Sequence, residues 1–271
     1  VGNSGLHVPL IIRYPDGYRA GETDSCMVSL MDLGPTVMSI LGIEPPSYMD
    51  GKAFAGFYKD DPRKYIFGSA DRFDESTDMQ RSVLDGRFVY IKNFMPELPL
   101  IYRNKYREKI PMNKELINLD KQGKLNGDES YIFMKTKPVE ELYDLEMDPH
   151  EINNLALDSN YTNVLFAMRK ELQLWQKEVN DRGFIPESEI IKEFWPNMIQ
   201  PITSEVIIKR KDNEVHLICE TKGASIGYQT GDSIGSKYWE LYTKPIELEE
   251  SKKIRARAIR IGYKASKFST N

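Results

Sequence analysis

Five apolar residues in a row, Val8-Pro9-Leu10-Ile11-Ile12, held between His7 and Arg13, constrain this chain more than any other feature. A run this short with no polar position reads as a strand buried on both faces, the kind that lies inside a helix-covered parallel sheet. The chain begins almost on the shoulder of that strand, with neither an initiator Met nor a signal peptide, so a truncated or cleaved chain is expected.

Downstream, Tyr14-Pro15-Asp16-Gly17 reads as a turn, and Asp32 as the cap of a short helix that tolerates Pro35 and stops at Gly42. That helix carries Val37, Met38 and Leu41 on one side. Tyr65–Gly68 predicts a strand, followed by a charged loop over Asp71–Asp78. Arg81–Leu84 and Arg87–Asn93 predict a hairpin turned at Asp85-Gly86. Residues 95–137 give no clear pattern. Glu141–Leu145 reads as a strand closed by Asp148-Pro149. Tyr161, Val164, Leu165, Met168, Leu172, Trp175 and Val179 follow the spacing of an amphipathic helix, which Gly183 ends.

Near Pro201 the period changes from helical to two. Val215, Leu217 and Cys219 alternate with His216 and Ile218, and Ile254, Ala256 and Ala258 with Arg255 and Arg257. Turn residues recur between these runs, as in a small all-β sandwich. Three segments follow: 1–183, a linker over 184–200 with one short helix at Glu187–Phe194, and the sandwich over 201–271.

The net charge of −4 gives no support to a general role on nucleic acid, and no stretch approaches the roughly 20 apolar residues of a membrane-spanning helix. Charge is uneven: residues 200–271 hold 13 Lys/Arg against 9 Asp/Glu, either a solvated surface or one drawn to an acidic polymer. Cys26 and Cys219 match no metal spacing and are expected as buried thiols in separate domains, with a disulfide between them as the alternative. Of the three histidines, His150 falls in a turn and His216 on a strand surface. His7, just before an apolar run, stands where α/β enzymes place substrate contacts or packing residues.

Three blocks, in order, resemble the type I sulfatases. Gly5-Leu6-His7-Val8-Pro9-Leu10-Ile11-Ile12-Arg13-Tyr14-Pro15 is similar to the strand after that family's last metal-binding loop. Ser29–Thr36 resembles its Asp-x-x-Pro-Thr helix start, and Glu141–Ala156 its C-terminal signature. Phe67-Gly68-Ser69 through Arg81-Ser82-Val83 resembles the sulfamidase-like, polysaccharide-active bacterial branch. Residues 198–271 are similar to the immunoglobulin-like domain that ends chitobiase and related hexosaminidases, through Gly223–Tyr228, Trp239–Ile246 and Ala256–Tyr263.

The resemblance implies an α/β fold: the C-terminal part of an alkaline-phosphatase-like core with an antiparallel sheet subdomain, then an immunoglobulin-like sandwich. It implies hydrolysis of sulfate esters, or sulfamates, on carbohydrate, in the periplasm or outside the cell. The family's nucleophile is a Cys or Ser oxidised to formylglycine, and its cation, calcium, neutralises the sulfate oxygens. Cys26 precedes Met-Val-Ser-Leu and Cys219 precedes Glu-Thr-Lys-Gly, and neither fits the nucleophile motif. The family's metal ligands come before the point where this chain begins. No catalytic residue or metal ligand is therefore assigned here, and the chain alone is expected to be inactive without the N-terminal part of the core.

What remains is substrate selection. His7, Asp71, Arg72, Asp74 and Glu75 are the candidate contacts to a sulfated carbohydrate, Arg72 by bidentate hydrogen bonds and the carboxylates by accepting sugar hydroxyls. An exposed loop held by its own ion pairs is the competing reading. Arg81, at the start of an apolar strand, is expected as a buried structural partner. Tyr228 and Trp239 are either a sugar-stacking platform or core. An accessory carbohydrate-binding module, a structural remnant and a phosphoesterase of the same superfamily stay as alternatives.

Overall fold

Asp85-Gly86 sets the register of the first sheet. In the computed structural model, which describes residues 1–73, 75–100 and 104–271 (Asp128 by its backbone alone), the Asp85 carboxylate accepts from the amides of Arg87 and Phe88, and Gly86 takes φ 100°. That positive φ is cheap for glycine, so the turn closes as expected. In chain order the elements before Gly183 are α1 (Asn3–Leu6), α2 (Leu33–Ile40), β1 (Ile66–Phe73), β2 (Ser76–Leu84), β3 (Phe88–Asn93), α3 (Pro111–Lys121), α4 (Gly127–Tyr131), β4 (Glu140–Asp144) and α5 (Thr162–Glu178). The strands form one antiparallel sheet in the order β1-β2-β3-β4.

One face of the sheet carries Val83, Tyr90 and Leu142, onto which α5 lays Leu165, Met168 and Leu172. Trp175, one turn further, stacks on Phe67 with ring centroids 4.9 Å apart. The other face combines Val89, Ile91 and Tyr143 with a buried polar layer. There Gln80 donates to Asn93, and both Asn93 and the Tyr143 hydroxyl donate to the Glu141 carboxylate. Burial and Glu141 together push the Tyr143 hydroxyl far above the usual phenol range.

Four expectations are corrected. Val8–Ile12 is no strand, and all five residues are exposed, Ile11 at 92%. A doubly buried strand needs hydrogen-bonded neighbours on both sides, and none of the described strands pairs with it. Residues 71–73 and 75–78 are not a loop but the far end of the β1–β2 hairpin, with Asp71, Arg72, Glu75 and Thr77 exposed. Helix α2 buries Pro35, Thr36 and Ser39 and exposes Val37 and Leu41, because the segment 51–58 docks through its backbone on Thr36 and Ser39. Cys26 is exposed rather than buried.

The chain divides into two units, Val1–Gly183 and Phe184–Asn271, and residues 184–200 belong to the second. There α6 (Glu187–Phe194) is followed by Trp195, whose indole donates to the Gly262 carbonyl at 2.8 Å. Strands β5 (Ile207–Lys211), β6 (Glu214–Ile218), β7 (Ser225–Thr230), β8 (Glu240–Leu241), β9 (Ile246–Glu247), β10 (Ile254–Ile259) and β11 (Ser269–Thr270) make two antiparallel sheets, β11-β10-β7-β8 and β5-β6-β9. Val215 and Leu217 of one sheet meet Ile226, Ile254, Ala256 and Ala258 of the other, forming a core of alternate residues.

Candidate functional site

The hairpin end holds three of the five candidate residues, and the surrounding chain explains why it is stiff. Opposite Asp71 the register of β1 on β2 shifts between Ala70 and Arg72. Asp71 is half exposed and accepts from Arg81 Nη1 at 2.7 Å. Arg81 itself is 1% exposed, and its Nε and Nη2 bond both oxygens of Asp181 at 2.7 and 2.8 Å. Asp181 also accepts from Gln176 and from the amide of Gly183. Arg81 is thus the buried structural partner expected from its place in the strand. Its hydrogen bonds hold the Asp181 carboxyl down to about 2.

Gly183 does not end α5, which stops at Glu178 with Asn180 at φ 50°. A Cβ on Gly183 would fall 1.9 Å from Arg81 Nη2, so this position leaves room for the guanidinium. Glycine here serves close approach rather than a helix stop.

Glu75 accepts from the amide of Lys105 at 3.0 Å and from Asn104 Nδ2 at 3.4 Å. Asn104 is 2% exposed, donates to the Phe73 carbonyl and receives the amides of Tyr106 and Arg107. Arg107 lies over the Phe73 ring at 4.7 Å. The hairpin tip is therefore clasped by the segment 104–107. Arg72 is exposed and has a bonding partner. Asp74 lies outside the described residues.

His7 follows α1 and is exposed; its side chain makes no hydrogen bond among the described residues. Its neighbour Leu6 packs over Gly68 of β1, where a Cβ would come within 3.3 Å of it. The structure gathers Asp71, Arg72 and Glu75 at one hairpin end and leaves His7 apart from them. Asn104 and Asp181 give no local sign of their roles in the sequence, since their partners Glu75 and Arg81 lie 29 and 100 residues away.

A second polar cluster sits at the helix-covered edge of this sheet. Arg169 of α5 bonds Glu140 twice at 2.8 Å, Tyr90 donates to the same carboxylate, and Lys92 stands 3.8 Å off. These groups line a cavity of about 340 Å³. Among the described residues no three His, Cys, Asp or Glu side chains converge so as to hold a metal ion. Of the hairpin's acids, Asp71 bonds Arg81, Glu75 bonds Lys105 and Asn104, and Asp78 bonds Lys137.

Residues 1–69 match the family described as N-sulphoglucosamine sulphohydrolase, C-terminal, and residues 215–271 the family described as Fn3 associated. The chain is 41% identical over 268 residues to an ulvan-active sulfatase of Formosa agariphila, covering 98% of this chain and 45% of that protein. It is 26% identical over 217 residues to human N-sulphoglucosamine sulphohydrolase, covering 74% of this chain and 43% of the human enzyme. It therefore spans under half the length of these relatives. The solved structure of a 2-O GAG sulfatase overlaps 56% of this chain and 25% of its own at 20% identity, with a TM-score of 0.37.

Proposed function

We propose that this chain, which belongs to the C-terminal region of the sulfatases, serves a parent enzyme that removes sulfate from an acidic polysaccharide. The observation that carries this reading is the 41% identity over nearly the whole chain to an ulvan-active sulfatase. The chain supplies one wall of the substrate pocket, with Asp71, Arg72 and Glu75 at the hairpin end as sugar contacts and His7 as a contact apart from them. A hairpin stiffened by Arg81 and Asn104 suits that task, because a pocket wall selects substrate only if it holds its shape.

The exposed apolar side chains of the first unit support the view that more protein packs there. Val8, Leu10, Ile11, Ile12, Val37 and Leu41 present a surface that water would otherwise meet. On this reading the rest of the sulfatase core covers it and gives Val8–Ile12 the strand neighbours that its pattern calls for.

Formylglycine and calcium would be held by that other part, since Asp71, Glu75 and Asp78 are engaged with cations and amides of this chain. The parent would work in the periplasm or outside the cell, where polysaccharide is met. Among the described residues no helix is long and apolar enough to cross a membrane. The second unit would be an immunoglobulin-like sandwich, as its two facing sheets suggest.

The test is aryl-sulfate hydrolysis, with calcium, by this chain alone and by this chain joined to the remaining part of the ulvan-active relative. Turnover by the joined protein only is expected. Turnover by the chain alone would sink the reading that the chemistry lies elsewhere, and none by the joined protein would sink the sulfatase assignment.

A further inference from the structure

The second unit carries charge that the hydrolytic reading leaves unused. β10 reads Ile254-Arg255-Ala256-Arg257-Ala258-Ile259, and its alternation buries Ile254, Ala256 and Ala258 completely. Arg255 and Arg257 therefore stand on the opposite, outer face of the sheet. Arg257 pairs across the ladder with Gly227 of β7, and the missing side chain there makes room for Trp239, whose ring a Cβ would approach to 3.3 Å. Trp239 stacks on Phe268 with centroids 5.8 Å apart and planes 9° from parallel. The guanidinium of Arg255 lies 3.5 Å from the Phe268 centroid and that of Arg257 4.8 Å.

The rings thus do not offer a bare sugar-stacking platform. Tyr228 is half-buried with its hydroxyl on Glu240, and Trp239 and Phe268 are occupied with each other and with the arginines. Their effect is to fix two cations without neutralising them, since a ring quadrupole attracts a cation but carries no net charge. Beside them opens a cavity of about 660 Å³, lined by Arg257, Lys264 and Lys267, with Glu205 as its one carboxylate.

Among the described residues none of Arg255, Arg257, Lys264 and Lys267 takes part in an ion pair. Arg257 donates through Nε to the Ser266 carbonyl at 2.9 Å, which leaves both terminal nitrogens for a ligand. Four arginines of the first unit differ: Arg63, Arg81, Arg87 and Arg169 are each bonded to a carboxylate of the same unit.

We propose that this cleft binds the sulfate or carboxylate groups of an acidic polysaccharide, so that the second unit anchors the polymer on which the parent enzyme acts. The choice of a polysaccharide rests on the reading in the preceding subsection; the anion site rests on the geometry. Arg257 suits a forked contact to a sulfate or uronate, and the two lysines act as point charges along the chain of sugars.

The experiment measures binding of the full chain to heparin as a sulfated polysaccharide, to dextran as a neutral one, and to an oligonucleotide as a polyanion without that sugar chemistry. Expected are salt-dependent binding to heparin, none to dextran and weaker binding to the oligonucleotide. Lys264→Glu and the double variant Arg257→Ala/Lys264→Ala should each lose roughly 10-fold in affinity, with a shallower salt dependence. Lys114→Glu/Lys121→Glu, on exposed positions of α3, should leave binding unchanged. Should the double variant fold poorly in a thermal melt, Lys264→Glu, which alters one exposed side chain, decides the matter. Unchanged affinity in Lys264→Glu, or equal binding of dextran or of the oligonucleotide, would overturn the proposal. Binding is read without turnover, so failure of the joined protein to hydrolyse aryl sulfate leaves it standing. Failure to bind heparin likewise leaves the hydrolytic reading standing.

Discussion

Replacing Asp181 by Asn should cost far more stability than replacing Asp71 by Asn, although both carboxylates bond the same guanidinium. Arg81 is 1% exposed, the Asp181 side chain 9% and the Asp71 side chain 49%. Removing Asp181 leaves a buried cation facing one half-solvated partner, and breaking a buried pair costs about 3 kcal/mol. Removing Asp71 costs under about 1 kcal/mol, since water already screens that contact. The assay is urea unfolding followed by the far-ultraviolet helical signal, which α5 and α3 of the first unit dominate. With a slope of about 2 kcal/mol per molar, the midpoint should fall by roughly 1.5 M for Asp181→Asn and under about 0.5 M for Asp71→Asn.

Acid supplies a second readout of the same network. The Asp181 carboxyl is held to about 2, below its unfolded value of 3.8. A carboxyl depressed on folding stabilises above the unfolded value, and that contribution is lost as pH falls through the folded one. The gap between wild type and Asp181→Asn should therefore hold from neutral pH to about 4 and close toward about 2. Equal midpoint shifts for the two variants, or a gap that persists in acid, would refute the reasoning.

Gly183→Ala should act on the same clamp, since its methyl would displace Arg81 Nη2; a loss of roughly 2 kcal/mol in the same unfolding assay is expected. Gly51→Ala should cost about as much, because its Cβ would fall 2.0 Å from the Met31 carbonyl oxygen; a lowered melting temperature checks it. Asp32→Asn should loosen the segment 50–63, since this 2%-exposed carboxylate takes the amides of Ser29 and Lys52 and the guanidinium of Arg63; faster tryptic cleavage after Arg63 would show it. Leu172→Ala, at 2% exposure between α5 and the sheet, should cost about 2 to 5 kcal/mol by urea unfolding.

Local information was readable in the sequence and distant information was not. The hairpin at Asp85-Gly86, the apolar stripe of α5, the short helix at Glu187–Phe194 and the alternation of β6 and β10 each depend on residues within a turn or a strand of one another. Val8–Ile12 failed because a strand is defined by neighbours, and apolar character alone does not supply them. The β1–β2 hairpin was cut short because its outer end is polar on exposed positions. α3 escaped notice in the Lys-rich stretch 95–137, where no buried residue marks a helix face. At the candidate site, Asp71 and Glu75 were visible as carboxylates in a charged stretch. Their engagement with Arg81 and Asn104 depended on segments brought together only by the fold.

The bond from Arg81 to Asp181 spans 100 residues of sequence, and this orders the assembly of the first unit. β1, β2 and β3 join by short turns and close early, whereas β4 must cross the stretch 94–139 to reach β3. The entropy of loop closure rises with span, so the Asp181 contact forms among the last. During synthesis from the N-terminus, the three-strand sheet therefore exists for a time with its guanidinium held by half-exposed Asp71 alone. A chain interrupted before residue 181 would keep Arg81 in that state, which makes the last turn after α5 a completion step for the whole sheet rather than an ornament at its edge.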